Sequence, residues 1–274
     1  MSLVHIVILL ATGVGVGFAG GLLGLGGCFI MTPVQFWVYT AMGMSVDTAI
    51  KVAFGTNLFV VLPTALSGAW GHHRKGAVRW KAALTMGSCA LFGAFGGAAA
   101  AVHIPGSVLK IAFGVVILAS AVRMLTARPP QVFEEPEDNP WLWVAWGIPV
   151  GIVTGIIGIG GGVLMVPVMV LALKFKMHQA VGTSVAVMIL SSLGGTLGYI
   201  VNGLGAIGIP SPHLGYVYIW AWLALVGTSV PIAQVGARVA HRLPAKQLRW
   251  IFIAVMCYMG LKMIGVFSWL HLPM

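Results

Sequence analysis

Two glycine-rich stretches carry residue types that could bind an anion. Gly17 to Gln35 reads GFAGGLLGLGGCFIMTPVQ, and Gly151 to Met169 reads GIVTGIIGIGGGVLMVPVM. Set 134 residues apart, they share eight identities in nineteen positions. Each begins as an apolar helix, breaks at a Gly-Gly pair, and resumes as a short apolar segment containing Pro33 or Pro167. A helix break frees amide N–H groups, and a helix start beyond it adds partial positive charge. Gly26, Gly27 and Cys28, facing Gly160, Gly161 and Gly162, would make a cradle for an anion. One such motif alone reads as close helix packing. Its repetition favours the cradle.

Other residues could serve the same chemistry. Gly55-Thr56-Asn57 pairs with Gly182-Thr183-Ser184, near the starts of long apolar segments. Thr56, Asn57, Thr183 and Ser184 could donate to an oxyanion without carrying charge, or could cap and cross-link helices. Gln35 follows Pro33 by two residues and its counterpart is Met169, which would make the halves chemically unequal. Cys28 stands where the second copy has Gly162, and a buried thiol is usually a small hydrophobe. Asp47 and Lys51, one turn apart, are candidates for coupling or anion attraction. The plainer alternatives are a helix cap for Asp47 and snorkelling for Lys51. Outside 128–140, Asp47 is the one acidic residue. A carrier of metal ions or Na⁺ needs buried carboxylates, so the solute is expected to be anionic or neutral. No metal spacing or cofactor motif is evident, and the three cysteines lie far apart.

These residues must be positioned by a membrane-embedded chain. Of 274 residues, 59% are hydrophobic and 7% charged, against about a quarter charged in soluble domains. Mean hydropathy is +1.01. The expected class is an all-α polytopic membrane protein. The net charge of +10 does not imply nucleic acid, because the basic residues sit at segment ends rather than in one stripe. The N-terminus lacks a basic start and reads as a retained first helix.

The expected segments are Leu3 to Leu25, Phe29 to Met44, Ala49 to Trp70, Ala82 to Val102 and Val108 to Thr126, then a linker at 128–140 that is Pro-rich and acidic. The second half repeats them as Trp141 to Ile159, Val163 to Leu173, Ala180 to Val201, Tyr216 to Ala240 and Ala245 to Phe267. The repeats are thus 1–127 and 141–274, in one membrane domain. Ile104-Pro105 and Leu243-Pro244 form a weaker match. Trp70, Trp80, Trp141, Trp143, Trp220 and Trp250 read as interfacial anchors, and His72, His73 and Arg74 as a solvated loop.

Lys and Arg placement sets orientation. The loop His72 to Lys81 carries four basic residues, and its counterpart Asn202 to Gly215 carries none. The later turn Val102 to Val108 carries none, and its counterpart is flanked by Arg238, Arg242, Lys246 and Arg249. Equivalent loops therefore face opposite sides, the signature of inverted-topology repeats. About five segments per half satisfy it, with broken or short helices after the Gly-Gly motifs. Both termini are then periplasmic and the linker cytoplasmic, with Lys51, Lys110 and Lys262 on the outer side.

On its paired glycine motif and the Gly-Thr-Ser that follows, the chain resembles the TauE/SafE (sulfite exporter) family over nearly its whole length. The resemblance implies a bacterial inner-membrane transporter of sulfur-containing anions such as sulfite, sulfoacetate or other organosulfonates. The expected function is a secondary transporter with a mid-membrane anion site, protons as the candidate coupling ion, and the lipid bilayer and a small anion as its partners. No P-loop is present. A passive anion channel would use the same cradle. An intramembrane enzyme would need a Ser or Cys paired with a His at depth, and no Gly-x-Ser-x-Gly elbow occurs.

Overall fold

A computed structural model of the protein describes residues 2–23, 26–126, 138–239 and 245–265. Within them lie ten helices and one small hairpin. The first half holds α1 (Leu3–Leu23), α2 (Cys28–Ala41), α3 (Val46–His73), α4 (Trp80–Ala101) and α5 (Gly106–Thr126). The second holds α6 (Pro140–Ile157), α7 (Gly162–Leu171), α8 (Met177–Val201), the hairpin β1 (His213–Leu214) and β2 (Val217–Tyr218), α9 (Ile219–Val239) and α10 (Ala245–Ile264). The chain is an all-α polytopic membrane protein, and seven of these helices are long and apolar enough to cross a bilayer. With 14 and 10 residues, α2 and α7 are too short to span about 30 Å of hydrocarbon.

Both ends of α3 differ from expectation for local reasons. The helix α3 starts earlier because Ser45 caps it, its Oγ accepting from the Thr48 amide at 3.1 Å. Thr56 therefore lies in the third turn rather than near the start. At the other end α3 runs through His73, so His72 is buried and its Nε2 meets the Gly21 carbonyl at 3.2 Å. His72 is thus not part of a solvated loop. The hairpin was not expected inside the Gly- and Pro-rich loop. Trp70, Trp80, Trp141, Trp220 and Trp250 are exposed, whereas Trp143 is buried against the core. Gly24, Leu25, most of the 128–140 linker, Arg242 and Leu243-Pro244 lie outside the described residues.

The halves pack by exchange. Gly13, Gly17 and Gly21 of α1 lie against Leu225, Ser229 and Ala233 of α9. Gly147, Gly151 and Gly155 of α6 lie against Met86, Ala90 and Ala94 of α4. The first helix of each half thus packs on the fourth helix of the other, in the same register. Small residues every fourth position let these backbones approach closely. The outer glycines of the repeated motif are therefore packing glycines. At the centre, Gly55 of α3 meets Tyr199 of α8, Leu58 meets Gly195, and Gly68 meets Val185. The equivalent helices α3 and α8 hence run antiparallel. So do α5 and α10, where Gly114 meets Ile264 and Leu118 meets Gly260. Equivalent helices that run in opposite directions make the two repeats inverted.

These directions gather Arg74, Lys75, Arg79, Lys81, Arg123, Lys174, Lys176 and Arg238 at one end of the bundle, and Lys51, Lys110 and Lys262 at the other. Arg79 holds Asp138, just before α6, through two bonds of 2.7 and 2.9 Å at the basic end.

Gly21→Ala and Gly155→Ala are expected to destabilise by about 1–3 kcal/mol each, as overpacking does, since each new Cβ would fall within 2.1 Å of a backbone carbonyl. Gly15 faces open space, so Gly15→Ala should gain up to about 1 kcal/mol of helix propensity. Thermal unfolding in detergent checks the contrast.

Candidate functional site

The two breaks use backbone geometry open to few residues besides glycine. Gly26 and Gly27 have φ of 74° and 66°, and Gly160 and Gly161 have 75° and 91°. An L side chain there costs about 1–2 kcal/mol. After the first break the chain doubles back, and a Cβ on Gly27 would touch Val16, far down α1. Before the second, Gly158 ends α6 by donating its N–H to the Thr154 carbonyl at 2.8 Å.

The breaks meet one another. A Cβ built on Gly26 would lie 2.4 Å from the Met188 methyl and 3.8 Å from the Ile159 carbonyl oxygen. One built on Gly160 would lie 3.1 Å from Val61 and 3.6 Å from the same Met188 methyl. Val61 and Met188 occupy equivalent places, midway along α3 and α8. Beside them is a narrow cleft lined by Gly20, Gly26, Val61, Thr64, Val185 and Met188 among others.

Hydroxyls surround the breaks unevenly. Thr64 donates to the Val60 carbonyl at 2.8 Å and pairs with Ser229 of α9 at 2.9 Å. Its counterpart Ser191 donates to the Gly160 carbonyl at 3.1 Å. Thr154 is buried beside the second break, where the first half has Gly20. The Cys28 thiol donates weakly to the Gly26 carbonyl at 3.7 Å. Met188, Ser191 and Thr154 escaped the sequence reading. The signal available was the difference between copies, Thr154 against Gly20.

Gln35 and Asn57 belong to a closed network between α2 and α3. The Tyr39 hydroxyl donates to Gln35 Oε1 at 2.8 Å, Gln35 Nε2 donates to Asn57 Oδ1 at 2.6 Å, and Asn57 Nδ2 donates to Thr32. All four residues are fully buried. In the second half the matching positions are Leu173, Met169, Ser184 and Val166, so the network exists in one half only.

Thr56 and Thr183 have matching tasks. Thr56 Oγ1 accepts from the Tyr218 amide at 3.0 Å, at the entry to α9, and Thr183 Oγ1 accepts from the Arg79 amide at 3.1 Å, at the entry to α4. Each secures the start of the fourth helix of the other half. Ser184 donates to the Val181 carbonyl at 2.8 Å. The structure thus joins Gly26, Gly160 and Gly161 with their immediate neighbours, and holds Thr56 and Thr183 in separate contacts.

Asp47 spans two helices. One oxygen takes the Gly106 amide at 2.7 Å, at the start of α5, and the other holds Lys51 Nζ at 2.8 Å. Lys51 is buried rather than extended to the interface. Lys110 and Lys262 lie over the rings of Phe36 and Trp37 at the same end. Among the described residues, no cluster of three His, Cys, Asp or Glu side chains forms.

The model of the family described as "Sulfite exporter TauE/SafE" matches residues 9–263. A protein of Methanocaldococcus jannaschii is 30% identical over 94% of both chains. One of Bacillus subtilis is 28% identical, covering 96% of this chain and 99% of its own. One of Haemophilus influenzae is 25% identical, covering 94% and 97%. All three are described as probable membrane transporter proteins. No solved structure matches the chain.

Gln35→Leu should destabilise by about 1–3 kcal/mol for each group left unpaired, here the Tyr39 hydroxyl and the Asn57 amide. Copying the second half with Thr32→Val, Gln35→Met, Tyr39→Leu and Asn57→Ser together should recover much of that loss, because the partners are removed jointly. Unfolding midpoints of both variants check it.

Proposed function

The chain belongs to the sulfite exporter TauE/SafE family, and on that premise we propose that this membrane transporter moves small sulfur-containing anions by alternating access. The solutes in view are sulfite, sulfoacetate and other organosulfonates, across a bacterial inner membrane with both termini periplasmic. The family and its relatives are described as transporters, which sets aside the intramembrane enzyme. One observation carries the reading. The two glycine breaks, one from each inverted half, meet around Val61 and Met188 midway along α3 and α8. Broken backbone at that depth is tolerated where protein or a cavity surrounds it, and inverted repeats with broken helices place solutes at such junctions.

The packing suggests how access alternates. The pairs α1/α9 and α6/α4 are each locked by a ladder of glycines against the facing backbone. They flank the central antiparallel pair α3/α8, which holds Val61 and Met188. Rocking one locked pair against the other about α3/α8 would open the breaks first to one side and then to the other. The anion would be met by amides and hydroxyls, because Asp47 and Lys51 neutralise one another at the end of the bundle. A proton gradient is the proposed driving force, since Na⁺ ligands are sparse.

A passive channel would use the same cradle. In proteoliposomes, sulfite should accumulate above equilibrium when a proton gradient is imposed. Mere equilibration would favour the channel. Gly27→Val and Gly161→Val should each lower flux at least tenfold while the protein still inserts. Unchanged flux in both would reduce the breaks to packing.

A further inference from the structure

We propose that the second break, not both, holds the transported anion, and that it holds a monoanion. This rests on the anion-transport reading above and sharpens which atoms do the binding.

The helix α7 begins at Gly162 without a side-chain cap. Leu164 and Met165 already bond to the Gly161 carbonyl, while the Gly162 and Val163 amides have no partner among the described residues. Thr154 Oγ1 is also buried and unpaired, with the residue 1% exposed. The Thr154 hydroxyl lies beside Gly161, the residue that opens α7. A Cβ built on Gly161 would lie 3.0 Å from Thr154 Oγ1 and 3.5 Å from Ser191 Oγ. An unpaired hydroxyl aimed at an open helix start is a standing cost in the empty protein. An oxyanion there would take the hydroxyl and the amides together.

The first break lacks this equipment. Thr154 is matched by Gly20. Ser191 is matched by Thr64, whose hydroxyl is engaged by Ser229 and Val60. Ser192 and Thr196, also buried and unpaired, are matched by Ala65 and Ala69. Met188 inserts its methyl between Gly26 and Gly160, so in this conformation it parts the cleft at the first break from the hydroxyls at the second.

Charge selects the class of solute. The side chains nearest to Gly26, Gly160 and Gly161 are Met188, Cys28, Val61, Thr154 and Ser191, none of them basic. Among the described residues, Lys and Arg lie at the two ends of the bundle. The burial cost of an ion rises with the square of its charge, and a helix start supplies roughly half a positive charge. A site of this kind favours a monoanion, such as hydrogen sulfite or a simple alkanesulfonate, over a dianion such as sulfate or sulfoacetate, which narrows the solutes named above.

The test is calorimetric binding to the purified full-length protein in zwitterionic detergent, at matched ionic strength, with methanesulfonate as monoanion and sulfate as dianion. Wild type should bind methanesulfonate at least about tenfold more tightly than sulfate. Thr154→Val should weaken methanesulfonate about tenfold, the worth of one hydrogen bond to a charged group. Thr154→Ser should stay within about threefold of wild type. Thr154→Val should melt no lower than wild type, because it removes an unpaired hydroxyl. Equal methanesulfonate affinity in Thr154→Val, or equal affinity for sulfate in wild type, overturns the proposal while leaving anion transport standing. Loss of melting temperature together with affinity assigns Thr154 a packing role and also overturns it. Failure of wild type to bind either anion overturns the transport reading and this inference together.

Discussion

A backbone amide cannot be left bare in hydrocarbon. That constraint gives the glycine breaks their meaning. Beyond α1 and α6 lie glycines in the left-handed region, Gly26-Gly27 and Gly160-Gly161, and the chain resumes in a helix of 14 or 10 residues. Amides freed at such depth must face protein, water or solute. The fold meets the constraint by bringing the two breaks together, with Met188 and Val61 packed at their junction.

The rest of the bundle follows from holding these breaks in place. Ladders of glycine bind α1 to α9 and α6 to α4, so each break is anchored to a helix from the other half. Thr56 and Thr183 secure the entries to those same helices. Asp47 ties the start of α3 to the start of α5. These contacts form an inverted pair for the most part, and the departures from symmetry are concentrated at the centre. The first half seals α2 to α3 with the network of Tyr39, Gln35, Asn57 and Thr32. The second half leaves that seam apolar and instead gathers hydroxyls around the start of α7.

Much of this was legible in the sequence because it is written in residue classes. Apolar length gave the helices, glycine pairs gave the breaks, and the reversal of Lys and Arg between equivalent loops gave the inversion. Partner identity was less legible, since tertiary packing decides it. Thr56 and Thr183 lie deeper in their helices than their positions suggested. Asp47 caps α5 rather than its own helix, whose cap is Ser45. His72 reaches Gly21 because α3 is longer than its apolar run. Thr154 stood within the repeated motif opposite Gly20, and its unpaired hydroxyl beside Gly161 is what gives that difference a meaning.

The account turns on where the solute rests. Anomalous diffraction from crystals grown with selenite, a heavier analogue of sulfite, would locate it directly. The expected result is one peak at the junction of the breaks, within hydrogen-bond reach of the first amides of α7 and lost in Gly161→Val. A peak confined to the basic end of the bundle, with the junction empty at saturating selenite, would contradict a mid-membrane site built from the two glycine breaks.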